Sequence, residues 1–326
     1  MAEFTSEWVH VQYAGTAQFT EVYGFAGSQG MVNLEGVRFL PKDRPSKTLA
    51  ITMHPSASQA LLPVPRALAA RGVHMLCAGN RYFRNDTPLI MEKGGARPRR
   101  LRAPCPRGDG LRKGRTAGLV RRRAAGPVLS EPGGAANRDP DPGRRDRAFD
   151  IYDPKNPNQP PYSDDFIAAY RSAHETRMHR RTAWVKETLD ALRKRGGKEL
   201  ERGFVTHRTM ADLRFMDPAV DPNDRRPRWC HLGNPESANS GPAGLGRYLT
   251  LQAWLSQWSP DDSNVDGPRG ASAITVPLLV VENTADEACP PLDPKAIFEA
   301  AASTDKTYAA IKGATHYFQG QPEQLQ

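Results

Sequence analysis

The sequence predicts an α/β protein: a mostly parallel sheet with helices on both faces and a cap inserted before its last strands. Three observations predict it. Short apolar strands alternate with helical stretches up to residue 93 and again after residue 272. A strand, an aspartate, a helix, a strand and a histidine follow one another near the C-terminal end. Between the two regions lies a segment whose composition matches neither. Strands that alternate with helices pair in parallel through crossover connections.

Taken in order, residues 16–25 and 31–40 read as strands joined by a turn at Gly27-Ser28-Gln29-Gly30. Thr48 to Met53 is a short apolar strand that ends at His54-Pro55. Residues 58–71 suggest a helix closed by Gly72, with Pro63 and Pro65 pushing its regular part later. Val73 to Cys77 reads as a buried strand. Thr87 and Pro88 make a sound helix start, as N-cap and first helical residue. That helix then runs into Gly94-Gly95. Ser163 caps a long helix carrying Phe166, Ile167, Tyr170, Trp184, Val185, Leu189 and Leu192 broadly on one face, ending at Gly196-Gly197. Ile274 to Val281 reads as a fully buried strand, Pro294 to Ala301 as a helix and Lys306 to Ile311 as the last strand.

The chain divides accordingly. Residues 1–93 form the first half of the core, 94–147 an irregular segment, 148–271 a cap or lid, and 272–326 the end of the core. With 326 residues, 38% hydrophobic and 25% charged, the composition suits a soluble globular protein. The run Val276 to Val281, broken by Pro277, is too short to span a bilayer. The first residues show neither a basic nor an apolar leader region, and Cys77, Cys105, Cys230 and Cys289 are scattered with no C-x-x-C spacing. The expectation is a cytoplasmic protein without a disulfide scaffold or a cysteine-rich zinc site.

The net charge of +9 has one source. Residues 94–147 hold 14 Arg and 1 Lys against 5 acidic residues, while the rest of the chain carries 30 basic and 31 acidic residues. Arg, Gly, Pro and Ala fill 38 of those 54 positions, and Ile, Met, Phe, Tyr and Trp are absent. Such a segment buries too little apolar surface to offset its ordering entropy. Three readings compete. One is a disordered basic linker. A second is an arginine-rich arm for nucleic acid, which lacks the aromatic residues that stack on bases. The third is out-of-frame translation of GC-rich DNA, since these four amino acids have the codons GGN, GCN, CGN and CCN. Dropping one base permits Gly-Trp-Ser-Gly-Gly-Gly across Gly118 to Arg123. It also permits an amphipathic continuation of the helix that starts at Thr87. The shifted stretch then reads helix, strand, elbow, helix.

Chemistry concentrates at the end of the chain. Val280-Val281-Glu282-Asn283 leads into Thr284-Ala285-Asp286, and Gly313-Ala314-Thr315-His316 follows the last strand. Acidic residues just past a strand's C-terminal end sit where open α/β sheets place their sites. Strand–Asp–helix–strand–His is the late half of a Ser…Asp…His order, and here the chain resembles an α/β-hydrolase over about residues 48–93 and 272–326. The resemblance implies the α/β-hydrolase fold and acyl (ester or thioester) hydrolysis. Asp286 would orient the imidazole and His316 would act as general base. His54-Pro55-Ser56 matches the place of the family's oxyanion-hole loop, with a backbone N–H near Ser56 as one donor. It implies no metal and no organic cofactor, and a small-molecule acyl substrate as partner rather than a membrane or nucleic acid. The oligomeric state is left open.

The nucleophile is where the chain departs from the family. No G-x-S-x-G occurs; Ala26-Gly27-Ser28-Gln29-Gly30 comes closest but lies in an early hairpin, and Ser130 has no elbow. The serine codon would straddle Val120 and Arg121 in the shifted frame. The expectation is therefore a serine hydrolase by descent that is inactive as written. The alternative is a non-catalytic binder whose basic arm contacts nucleic acid or an acidic partner. His174 and His179 are five apart, not four, which argues against a zinc helix; His207 and His231 suggest no partner, and Cys289 reads as buried filler. Without its central strand the sheet would keep unpaired edges, so the product is expected to be unstable or aggregation-prone.

Overall fold

A computed structural model describes residues 3–14, 31–42, 44–55, 57–80, 82–83, 86–91, 149–206, 212–240 and 248–325. The chain divides into two compact units, Met1–Leu119 and Val120–Gln324. The arginine-rich segment 94–147, the elbow position at Val120 and Arg121, Ser56 and His207 lie outside the described residues.

In the first unit, strands β1 (Phe4–Ala14), β2 (Met31–Pro41), β3 (Ala50–Met53) and β4 (Met75–Ala78) form one sheet in the order β1-β2-β4-β3. The β1–β2 pair is antiparallel, from Phe4 opposite Pro41 to Ala14 opposite Met31. The β2–β4 pair is antiparallel too. β3 and β4 run parallel, because helix α1 (Pro63–Ala70) crosses between them. Proline at the start of α1 costs no helical hydrogen bond, and Gly72, at φ +92°, turns the chain out of its end. All four β4 residues are buried. Met75 and Cys77 pack with Phe39, Ala60 and Ala69 on one face, Leu76 and Ala78 with Leu34 on the other. Fully burying Phe39 contributes about 1.5–3 kcal/mol. At Gly36 a Cβ would stand 2.9 Å from the Cys77 carbonyl, so the β2–β4 approach requires glycine there.

Two readings change here. The partner of β2 is Phe4–Ala14; the strand expected over 16–25 lies outside the described residues. β1 was hard to read because Trp8 is 73% exposed and, among its described side chains, only Phe4, Val9 and Val11 are partly buried. The Thr87-Pro88 helix start is instead a turn, closed by Leu89 N–H to the Asp86 carbonyl at 3.0 Å.

The second unit begins with helix α2 (Asp164–Arg195). Ser163 Oγ accepts the Phe166 N–H at 3.3 Å, Asp164 and Asp165 sit in the first turn, and Arg193, Lys194 and Arg195 in the last. These charges oppose the helix dipole at both ends. Gly196 closes the helix at φ +65°. Its apolar face serves two cores in succession. Phe166 and Tyr170 pack with Ile151, Tyr162, Leu213 and Met216; Val185, Leu189 and Leu192 pack with Phe204, Leu249, Leu251 and Trp254. A two-stranded antiparallel ribbon, β5 (Gly203–Val205) with β6 (Tyr248–Thr250), leads into helix α4 (Leu251–Trp258), the short helix α3 (Pro235–Ser240) lying between them in sequence. Trp254 is buried and Trp258 packs beside it; Trp229 is more open, with the Arg226 guanidinium 4.5 Å above its ring.

Helix α5 (Gly267–Ala271), strand β7 (Leu278–Asn283), helix α6 (Leu292–Ala300) and strand β8 (Lys306–Ile311) end the chain. β7 and β8 pair in parallel across the α6 crossover, with Ala271, Val280, Ile297 and Ala301 as their core. The expected fully buried strand is corrected: of β7 only Val280 is buried, while Leu279 is 63% and Val281 45% exposed. Among the described residues β7 has one strand neighbour, and one of its faces is packed. Mixed α and β structure is therefore present, carried among the described residues by one four-stranded and two two-stranded sheets rather than a single mostly parallel one. No helix among the described residues is long and apolar enough to cross a membrane.

Candidate active site

Parallel pairing brings the C-terminal ends of β7 and β8 together, with Asn283 opposite Ile311. The loops that leave those ends must then run side by side, although 30 residues separate Asp286 from His316. Gly313, at φ +71°, makes the turn out of β8.

Backbone and side-chain bonds lace the two loops. Thr284 N–H donates to the Ile311 carbonyl at 3.2 Å and Ala285 N–H to the Ala314 carbonyl at 3.0 Å. Gly313 N–H donates to Thr284 Oγ1 at 2.8 Å, and Asn283 Nδ2 to the Thr315 carbonyl at 3.1 Å. Glu287 Oε2 accepts the His316 N–H at 3.0 Å. Gln321 closes the histidine loop from outside. Its Oε1 accepts from both Thr315 N–H and Thr315 Oγ1 at 2.8 Å, and its Nε2 donates to the Gly313 carbonyl at 2.7 Å.

Within this frame His316 Nδ1 lies 3.0 and 2.9 Å from the two Asp286 oxygens. Both side chains are nearly closed off from solvent, at 6% and 10% exposure. Ala288 and Cys289 each donate a backbone N–H to Asp286 Oδ1 at 2.7 Å. Burial works to raise the Asp286 carboxyl. The hydrogen bond and charge of His316, with the two backbone N–H groups, outweigh it and hold the carboxyl below its ordinary range. A carboxylate only accepts, so Nδ1 carries the proton of this contact.

The preceding segment packs against the same loops. Asp224 N–H donates to the Thr284 carbonyl at 3.1 Å, and Thr284 Oγ1 to Asp224 Oδ2 at 2.5 Å. His231 N–H donates to the Glu287 carbonyl at 3.1 Å, and the His231 ring centre lies 5.6 Å from that of His316. The Tyr317 ring flanks His316 at 4.5 Å. A buried charge cluster lies in the same unit. Arg214 binds Asp212 through Nε and Nη2 at 2.9 and 2.6 Å and reaches Asp293 at 3.5 Å. Arg225 Nη2 donates to the Asp221 carbonyl at 3.3 Å. Burial lowers the Arg225 pKa from its usual value, against the attraction of Asp221 and Asp286.

Of the residues singled out from sequence, the structure brings Asp286 and His316 together. His54 belongs to the first unit; it is buried after β3, and its Nδ1 accepts the Ala57 N–H at 2.8 Å. That bond closes the local turn, while Asn80 Nδ2 holds the Pro55 carbonyl at 2.6 Å. His179 binds Asp261 at 3.0 Å on α2, and no metal-type cluster among the described residues includes His174 or His179. Sequence reasoning missed Thr284, Glu287, His231 and Gln321. Only Thr284 and Glu287 carried a signal, their place beside Asp286; His231 reaches the site from a distant position through tertiary contacts, and Gln321 folds back on the loop of His316 from six to eight residues away. No family model matches the chain, and no curated protein is similar to it.

Proposed function

We propose that this chain carries the acid–base half of a serine-type acyl hydrolase of the α/β-hydrolase class, and that it is catalytically silent as written. The observation that carries the reading is the two-oxygen contact of Asp286 with His316 Nδ1, at the adjacent ends of two parallel strands. An imidazole fixed this way presents Nε2 as a base. It would take the proton of a serine hydroxyl as that oxygen attacks an ester or thioester carbonyl. The Asp286 carboxylate would stabilise the imidazolium, and the proton would pass on to the leaving group. The substrate class is a small acyl ester or thioester.

The printed sequence provides no elbow serine for this pair, and loss of a triad nucleophile lowers the rate by about 10⁶. Turnover of a p-nitrophenyl acyl ester by the full chain is expected to equal that of His316→Ala. Robust, His316-dependent turnover would overturn the silence. A chain translated one base out of register over the arginine-rich segment is expected to hydrolyse the ester and to lose that activity on His316→Ala. Hydrolysis by that chain that survives His316→Ala would remove the hydrolase reading.

A further inference from the structure

The pair has a third neighbour that acyl transfer does not use. Asp286, Cys289 and His316 each offer one ligand atom, and these atoms lie within 4.8 Å of one another. We propose that the three side chains form a binding site for a single soft divalent cation of the zinc type.

The donor set selects the metal class. One thiolate, one imidazole and one carboxylate match zinc and cobalt, whereas magnesium and calcium take oxygen ligands. Asp286 and Cys289 are spaced as D-x-x-C on one turn, and the Ala288 and Cys289 N–H groups both point at Asp286 Oδ1. Ligating carboxylates are oriented by outer-shell bonds of this kind. The second loop delivers His316, anchored by Glu287 and, through Thr315, by Gln321. Three protein ligands leave a fourth tetrahedral position for water. Ligand bonds of about 2.0–2.3 Å separate tetrahedral ligand atoms by about 3.5 Å, so Cys289 draws inward by about 1 Å on binding while the Asp286–His316 contact, at 2.9 Å, opens slightly. Asp286 and His316 are already in contact, which leaves Cys289 as the residue that moves most.

The proton balance is simple. The Cys289 thiol gives its proton to solvent and binds as thiolate. His316 binds through Nδ1, the nitrogen that faces Asp286, so its proton moves to Nε2 and the hydrogen bond to Asp286 gives way to two metal bonds, the imidazole staying neutral. Binding releases one proton and changes no oxidation state. The site uses the same histidine and aspartate as the proposed proton relay, but it does not rest on the hydrolase reading, because a cation binds here whether or not a nucleophile exists.

The test is a titration of the metal-free full chain with Co²⁺ alone. One equivalent is expected to give tetrahedral visible bands with a near-ultraviolet sulfur-to-cobalt band, and Zn²⁺ is expected to displace it. Cys289→Ser is expected to remove the sulfur band and weaken cobalt binding by at least about 10-fold, since even outer-shell changes cost about 10–100-fold. A parallel measurement needs no variant: Zn²⁺ is expected to slow iodoacetamide labelling of Cys289 in the unaltered chain, read by peptide mass mapping. A cobalt spectrum without the sulfur band, a band that persists in Cys289→Ser, or labelling of Cys289 that Zn²⁺ leaves unchanged would each overturn the proposal.

Discussion

Glu287 holds His316 by its backbone: Oε2 accepts the histidine N–H at 3.0 Å, while the Glu287 carbonyl accepts from His231 at 3.1 Å. One residue beside the acid thus fixes the base and docks the preceding segment. Glu287→Ala is expected to destabilise the second unit by about 1–3 kcal/mol, the cost of leaving a partly buried N–H unpaired. Glu287→Gln keeps an acceptor and is expected to restore most of that loss. Urea unfolding of both variants checks this; equal losses would show that the hydrogen bond contributes nothing.

The Gln321 side chain makes three bonds to the loop of His316 and none to a described strand. Gln321→Ala is therefore expected to loosen Thr315 and His316 while leaving β7 and β8 paired. Hydrogen exchange at the Thr315 amide should accelerate by about 10-fold, the equivalent of about 1.4 kcal/mol in local opening. Faster exchange along β8 to the same degree would contradict this division.

Acid is expected to weaken the site in a direction fixed by Asp286. Its carboxyl sits below the ordinary range when folded, so the unfolded chain binds more protons in acid. The stabilisation is fully present above the unfolded value of about 3.9 and is lost as pH falls through the lower, folded value. The groups facing it are the His316 ring, the Ala288 and Cys289 N–H groups and the Arg225 charge. The stability gap between the unaltered chain and Asp286→Asn should shrink as pH falls below about 4. A gap that is constant from neutral pH down to strong acid would remove Asp286 as its cause.

Leu279 and Val281 lie on one exposed face of β7, with Val276 just before it, 62% exposed. Exposed apolar strands template association. Leu279→Lys is expected to lower light scattering on concentration while changing the unfolding midpoint little, because the side chain is mostly in solvent. A large loss of stability would place Leu279 in a packed interior.

The elements with strong local chemistry were legible. Ser163 and Gly196 bracket α2 as the sequence implies, and Lys306–Ile311 matches its strand. The order of Asp286 and His316 predicted their contact because parallel strands joined by a helix bring their C-terminal ends together. β1 was not legible, since Thr5, Ser6 and Glu7 are consecutive polar residues ahead of an exposed Trp8. The burial of β7 was overestimated because an apolar run reports what a strand could pack against, and its second face has no apolar partner among the described residues. His231 was invisible because its role depends on loops meeting in space, and Gln321 because no residue signal marks the local turn that folds it back on Thr315 and Gly313.

The central claim is that an acid–base pair persists beside a serine lost to a shifted reading frame. The nucleotide sequence across codons 90–150 tests it most directly. Read one base out of register, it is expected to stay open and to encode serine at the codon straddling Val120 and Arg121, between Gly-Trp and Gly-Gly-Gly. A stop codon in that frame, or a codon for any other residue at that position, would contradict the account.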